Sequence, residues 1–163
     1  MSNFQFDDRS WYDQRFKAKL DKIEPGLWAR LERVPSLSAE AQDVVLRFLL
    51  GTGCQATHSR NIILRTGLFC ISRDWLLPRI EQSAAVTLDL TDEWEYRRLG
   101  EVYELLDADL VRRHSAFGRS STNPEIREAA DDFEFGLARG TSFREDLALP
   151  VDEQHPERQQ SGQ

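Results

Sequence analysis

The spacing of apolar residues between positions 92 and 110 constrains this chain more than any other feature. Tyr96, Leu99, Tyr103, Leu106 and Leu110 recur at intervals of three, four, three and four, the stripe that one face of an α-helix presents at 3.6 residues per turn. A stripe of that kind is stable only when other elements cover it. The rest of the sequence offers mostly helices for the purpose.

Ser10-Trp11-Tyr12-Asp13 resembles a capping box with Asp in place of Glu, and Tyr12, Phe16, Leu20 and Ile23 follow at helical spacing. Glu24-Pro25-Gly26 breaks that helix and starts a short one, with Pro25 in its first turn. Leu27, Trp28, Leu31 and Val34 form its stripe until Pro35 stops it. Ser38 caps the next helix, whose buried face reads as Ala41, Val44, Val45, Phe48 and Leu49, widened by Leu46 and Leu50 until the helix is nearly central. Gly51 or Gly53 is expected to end it in the left-handed conformation. Ser72 or Asp74 opens a helix bearing Trp75, Leu76, Leu77 and Ile80, which tolerates Pro78 only in or near its first turn.

Thr91 is expected to cap the striped helix, with Asp92 and Glu93 at the positive end of its dipole. Asp107-Ala108-Asp109 interrupts that helix and leaves Leu110 to Phe117 as a separate one, closed by Gly118. Asn123-Pro124-Glu125 supplies a cap, a first-turn proline and a dipole-compatible acid for the last helix. Ile126, Ala129, Ala130, Phe133 and Leu137 face the core before Gly140. For Asn61 to Ile71, periodicity leaves two readings open, two short strands around Arg65-Thr66-Gly67 or a helix in which Gly67 is a weak or close-packing point. An isolated hairpin has no sheet to join, so the helix is preferred.

The expected fold is therefore all-α, an irregular antiparallel bundle or short helical-hairpin stack of about seven or eight helices. With 163 residues, 40% of them hydrophobic, one core suffices. The expected division is an N-terminal extension over 1–9, a single helical domain over 10–140 and a mobile acidic and polar tail over 141–163. The tail beyond Val151 has no aromatic residue with which to offset the entropy of ordering it. Phe143, Leu147 and Leu149 just before it are candidates to latch onto the domain.

No run approaches the roughly 18 uninterrupted apolar residues of a membrane span. Met1 to Asp8 has neither the basic nor the apolar region of a secretory signal. A cytoplasmic protein is expected, and Cys54 and Cys70 are read as thiols in a reducing compartment. Charge is uneven along the chain. Residues 81–163 carry 19 acidic against 9 basic residues, and residues 1–80 carry 9 against 12. The acidic half repels polyanions and no dense basic run compensates, so nucleic acid is not expected as a partner. A basic protein surface suits that half better.

"TNPEIREAADDF", residues 122–133, resembles the start of a helix in HEAT or armadillo-type repeats, where a turn with Asp or Asn and Pro leads into an apolar, Arg, Glu and Ala-Ala pattern. Ser38 to Val44 is a fainter echo. The helix starts do not recur at the fixed period of such repeats. The resemblance implies an irregular stack of antiparallel helix pairs, a scaffold of the kind used as a protein-binding surface.

The stretch "GTGCQATHSRN", residues 51–61, carries the densest chemistry. Cys54 and His58 lie four apart, so on a helix a thiol and an imidazole share one face, the minimal set for a thiolate nucleophile, with Asn61 one turn further on. Groups on one short helix rarely surround a substrate, so the preferred reading is a helix-to-helix corner in which His58, Ser59, Arg60 and Asn61 satisfy backbone groups or meet a partner. Cys54, His58, Cys70 and His114 make a zinc set only if the fold gathers them. The Gly-Thr-Gly turn lacks the strand and third glycine of a dinucleotide motif, so no cofactor is expected. Most of Glu101, Glu104, Asp107, Glu128, Asp131 and Asp132 are read as solvated helix faces, and of the four tryptophans Trp94, off the apolar stripe, is the candidate for exposure and for an interface anchor. Two functions follow. One is a non-catalytic protein-interaction module: an adaptor, a regulatory subunit or an immunity-type inhibitor of a basic partner. The other is a small enzyme or ligand-binding protein built on Cys54, His58, Arg60 and Asn61.

Overall fold

Helices begin where the chain supplies an oxygen for their unanswered amides. The computed structural model describes residues 14–55 and 67–140, and at four places in it a short polar side chain does this. Ser38 accepts from the Ala41 amide, Asp92 from Glu95, Asp107 from Asp109 and Leu110, and Asn123 from Glu125. The helices are α1 (Gln14–Ile23), α2 (Ala39–Cys54), α3 (Arg73–Leu76), α4 (Ile80–Thr87), α5 (Glu93–Leu106), α6 (Ala108–Arg119) and α7 (Pro124–Arg139). The fold is an all-α helical bundle, with no strand among the described residues.

Several local expectations are corrected. The stretch after Pro25 is not one short α-helix but two 3-10 turns, Leu27–Ala29 and Leu31–Ser36. Gly26, at φ 76°, occupies the left-handed position that opens the first, and Pro35 lies inside the second. Leu27, Leu31 and Val34 are nonetheless buried, because i to i+3 spacing serves both helix types. Neither Gly51 nor Gly53 ends α2, which runs through both to Cys54. The buried face of α2 is Val45, Leu46, Leu49, Leu50, Gly53 and Cys54. Val44 is 43% exposed, and Ala41 and Phe48 are half-buried. The face is rotated by about one position from the one read in sequence, since so many of its residues are apolar that composition alone does not fix its centre.

Pro78 falls outside the first turn of any helix. It sits between α3 and α4, in the turn 77–79. The cap of α5 is Asp92, one residue beyond Thr91, because Thr91 is committed elsewhere: its amide and hydroxyl both donate to the Asp89 carboxylate, at 2.9 and 2.6 Å. Those bonds hold the Asp89 carboxyl below its ordinary range. Asp107 both ends α5 and caps α6, and Arg73 clamps that junction, donating to the Leu106 carbonyl at 2.8 Å and to Asp107 at 2.6 Å. Gly118 does not close α6 but lies within it. Residues 67–69 are helical, with Gly67 packed under Leu49 and Leu31.

Every residue of the Tyr96 to Leu110 stripe is buried. α5 meets α2 on one side and both α6 and α7 on the other, and α6 and α7 share the most extensive interface, as two helices joined by the short connection 120–123 do. α2 rests on α1, α4 and the second 3-10 turn. The N-terminal extension, Tyr12, the tail 141–163 with its latch residues, and His58, Ser59, Arg60 and Asn61 lie outside the described residues.

Candidate functional site

The side chains best equipped for chemistry face inward. Cys54, the last residue of α2, has no exposed surface and belongs to the hydrophobic core. Tyr96 and His114 interlock across α5 and α6. The Tyr96 hydroxyl donates to the His114 carbonyl, the imidazole Nε2 donates to the Tyr96 carbonyl, both at 2.9 Å, and the rings stack 4.0 Å apart. Because a carbonyl only accepts, Nε2 carries the proton of a neutral ring. Burial holds that imidazole down at about 4 and pushes the Tyr96 phenol up to about 12; Tyr103, edge-on to the imidazole, is raised by burial and by the Glu81 carboxylate. A base that stays neutral and a phenol that stays protonated, both without solvent access, serve packing.

Glu104 is the exception among the carboxylates named from sequence: it is buried, at 3% exposure, and is no solvated helix face. The remaining acids of α5 to α7 are largely answered locally. Glu93 and Asp132 pair with Arg97, Glu101 with Arg98, Asp109 with Arg112, and Asp131 and Glu134 with Arg119. Across elements, the Glu81 carboxylate takes both nitrogens of a forked contact from Arg113, at 2.9 and 3.0 Å. Among the described residues no three His, Cys, Asp or Glu side chains are grouped to hold a metal ion. Trp94 is 45% exposed, and the Arg98 guanidinium lies 4.1 Å from its ring centre.

The built concavity lies elsewhere, between the N-terminal half of α2 and the α3–α4 corner, with a volume of about 310 Å³. From α2 come Gln42, Asp43, Leu46 and Arg47; from the other wall come Trp75, Arg79, Gln82, Ser83 and Val86. Its lining is mixed: Leu46, the Trp75 ring and Val86 are apolar, Gln42, Gln82 and Ser83 polar, and Asp43, Arg47 and Arg79 charged. Arg47 is tied to Asp43 at 2.9 Å, one turn back on the same helix. Arg79 donates through Nη1 to the Trp75 carbonyl at 2.8 Å and lays its guanidinium 4.8 Å from the Trp75 ring centre. No carboxylate among the described residues is paired with it. Val86 is 58% exposed at the rim. Nothing in the sequence marks this as a site: Trp75 reads as one more member of a stripe, and the two walls come from separate stretches of the chain, Ala39 to Arg47 and Trp75 to Val86. The available signals are Pro78, where the helix breaks, and the i, i+4 spacing of Trp75 and Arg79.

Compared with protein-family models, with the curated proteins and with the solved structures, the chain matches none. No helix among the described residues is long and apolar enough to cross a membrane.

Proposed function

We propose that this chain is a non-catalytic protein-interaction module, and that the α2–α4 groove is its contact surface. One observation carries the reading. Among the described residues, Cys54, Tyr96, Tyr103 and His114, groups suited to nucleophilic attack or proton transfer, are enclosed in the core and Cys70 is half-buried, while the concavity presents tryptophan and arginine, residue types that anchor protein interfaces, beside an exposed valine. A volume of about 310 Å³ is at the lower limit for a small-molecule site. The enzyme built on Cys54, His58, Arg60 and Asn61 has no support in the burial of Cys54.

The acidic α5–α7 half retains a role in this reading. Its carboxylates are mostly paired, so it acts at a distance, raising the encounter rate with a basic partner surface. The local likeness of residues 122–133 to HEAT or armadillo-type helices fits the same use, a helix-pair scaffold that presents a surface.

Capture from a cell extract with the full chain, beside a Val86→Asp variant that melts at the same temperature, tests the proposal. A protein retained by the first and lost by the second, with retention falling as salt rises, is expected. A partner held equally by both removes the groove from the reading.

A further inference from the structure

The groove also specifies what anchors in it. This inference rests on the interaction reading and gives the partner a chemistry: we propose that the α2–α4 groove takes a short segment of a partner protein in which an aliphatic side chain stands beside a carboxylate.

The argument starts from Arg79. Stacking on Trp75 and the hydrogen bond from Nη1 to the Trp75 carbonyl fix the plane of the guanidinium, so the entropy of ordering a long side chain is already spent before any ligand arrives. Nε and Nη2 remain, and together they form the fork that fits a carboxylate with two parallel bonds. Arg47, across the groove, has its charge matched by Asp43. Arg79 has no such match among the described residues, so the walls carry one cation in excess, on the side where the donors are prearranged. Next to it, Leu46, the Trp75 ring and Val86 form the apolar surface, and Val86 at 58% exposure gains most from being covered. A carboxylate without an apolar neighbour leaves that surface wet. An apolar side chain without a carboxylate leaves Arg79 unmatched. An acidic group and an aliphatic group on adjacent residues satisfy both.

The test uses the full chain and two synthetic peptides, one with leucines flanked by glutamates and a twin with lysines in their place, followed by the Trp75 indole resonance. The acidic peptide is expected to shift that resonance and the backbone amides of α4, the lysine twin to leave them unmoved, and Arg79→Gln to weaken the acidic peptide about tenfold, the loss of one charge-assisted pair. Equal response to both peptides, no response, or indifference to Arg79→Gln overturns the proposal. So does a Trp75 resonance that moves without peptide when Leu147 and Leu149 are changed to Ser, since the occupant is then the chain's own C-terminal segment. Should the peptides fail while Val86→Asp still abolishes partner capture, the anchor chemistry falls and the interaction reading stands.

Discussion

The α5–α7 bundle and the α2–α4 groove are built from the same kinds of residue and use them in opposite ways. In the bundle, Tyr96 and His114 answer each other's carbonyls, and Phe133 fills the space left by the absent side chain of Gly100. In the groove, Trp75 and Arg79 answer each other on one wall and leave Val86 uncovered beside them. Aromatic and basic side chains therefore stabilise where they are enclosed, and where they are left half open they are the ones our proposal assigns to a partner. The two regions should separate cleanly in mutation: large losses of stability in one, large losses of binding with little change of stability in the other.

The largest effect is expected at Phe133. Its ring packs against the backbone of α5 at Gly100 and lies 6.4 Å from Tyr96 and 6.0 Å from His114, centre to centre. Phe133→Ala opens a void bounded by helix backbone and ring faces that have no freedom to close it, and the cost is about 3–5 kcal/mol. The midpoint of denaturant unfolding measures it. A loss under about 1 kcal/mol means that α7 is not locked onto α5 in this manner.

Acid should expose the same interlock. The unfolded imidazole of His114 binds a proton near its ordinary 6.5, and the buried one only near 4. Between those values the unfolded state holds more protons, so stability is whole above about pH 6.5 and falls as the pH drops toward 4. The loss attributable to His114 reaches at most about 3 kcal/mol at the acid end. His114→Gln, which can still donate to the Tyr96 carbonyl and does not titrate, should remove that part of the slope. Thermal melts of both proteins across this window check it, and parallel curves would separate the imidazole from the acid sensitivity.

The glycines show how much of this was legible beforehand. Sequence placed the α5 stripe, the Asp107 break and the Asn123 cap correctly, because periodicity and capping are local and leave their mark within a few residues. Gly118 was read as a helix end. It is a contact: a Cβ there meets the Tyr96 phenol and the Ala130 side chain, a demand made by neighbours far along the chain. Gly118→Ala should therefore cost about 1–3 kcal/mol by overpacking, against the roughly 1 kcal/mol at most that helix propensity would return. Tyr96→Phe in the same chain should recover a small part of the loss, since it deletes the nearest clashing atom while the ring carbon and Ala130 remain in the way. The resulting double-mutant cycle reports that coupling. The groove was illegible for the same reason, its walls being brought together only by the packing of α2 on α4.

The smallest change in stability is expected at the groove, and it is the one that decides whether the comparison holds. Arg79 and Val86 are exposed, and Arg79 lies over the half-buried Trp75 ring. Removing the guanidinium in Arg79→Gln gives up a surface hydrogen bond and a cation–ring contact, together within about 1 kcal/mol. Val86→Asp places a charge where water already is, and the expected change is within about 0.5 kcal/mol. Were Val86→Asp instead to cost as much as Gly118→Ala, its side chain would have to be buried by something outside the described residues. The groove would then be an internal seam, and the contrast between an enclosed half and an open half would have to be redrawn around Trp94, whose stacked Arg98 makes it the next exposed aromatic of similar build.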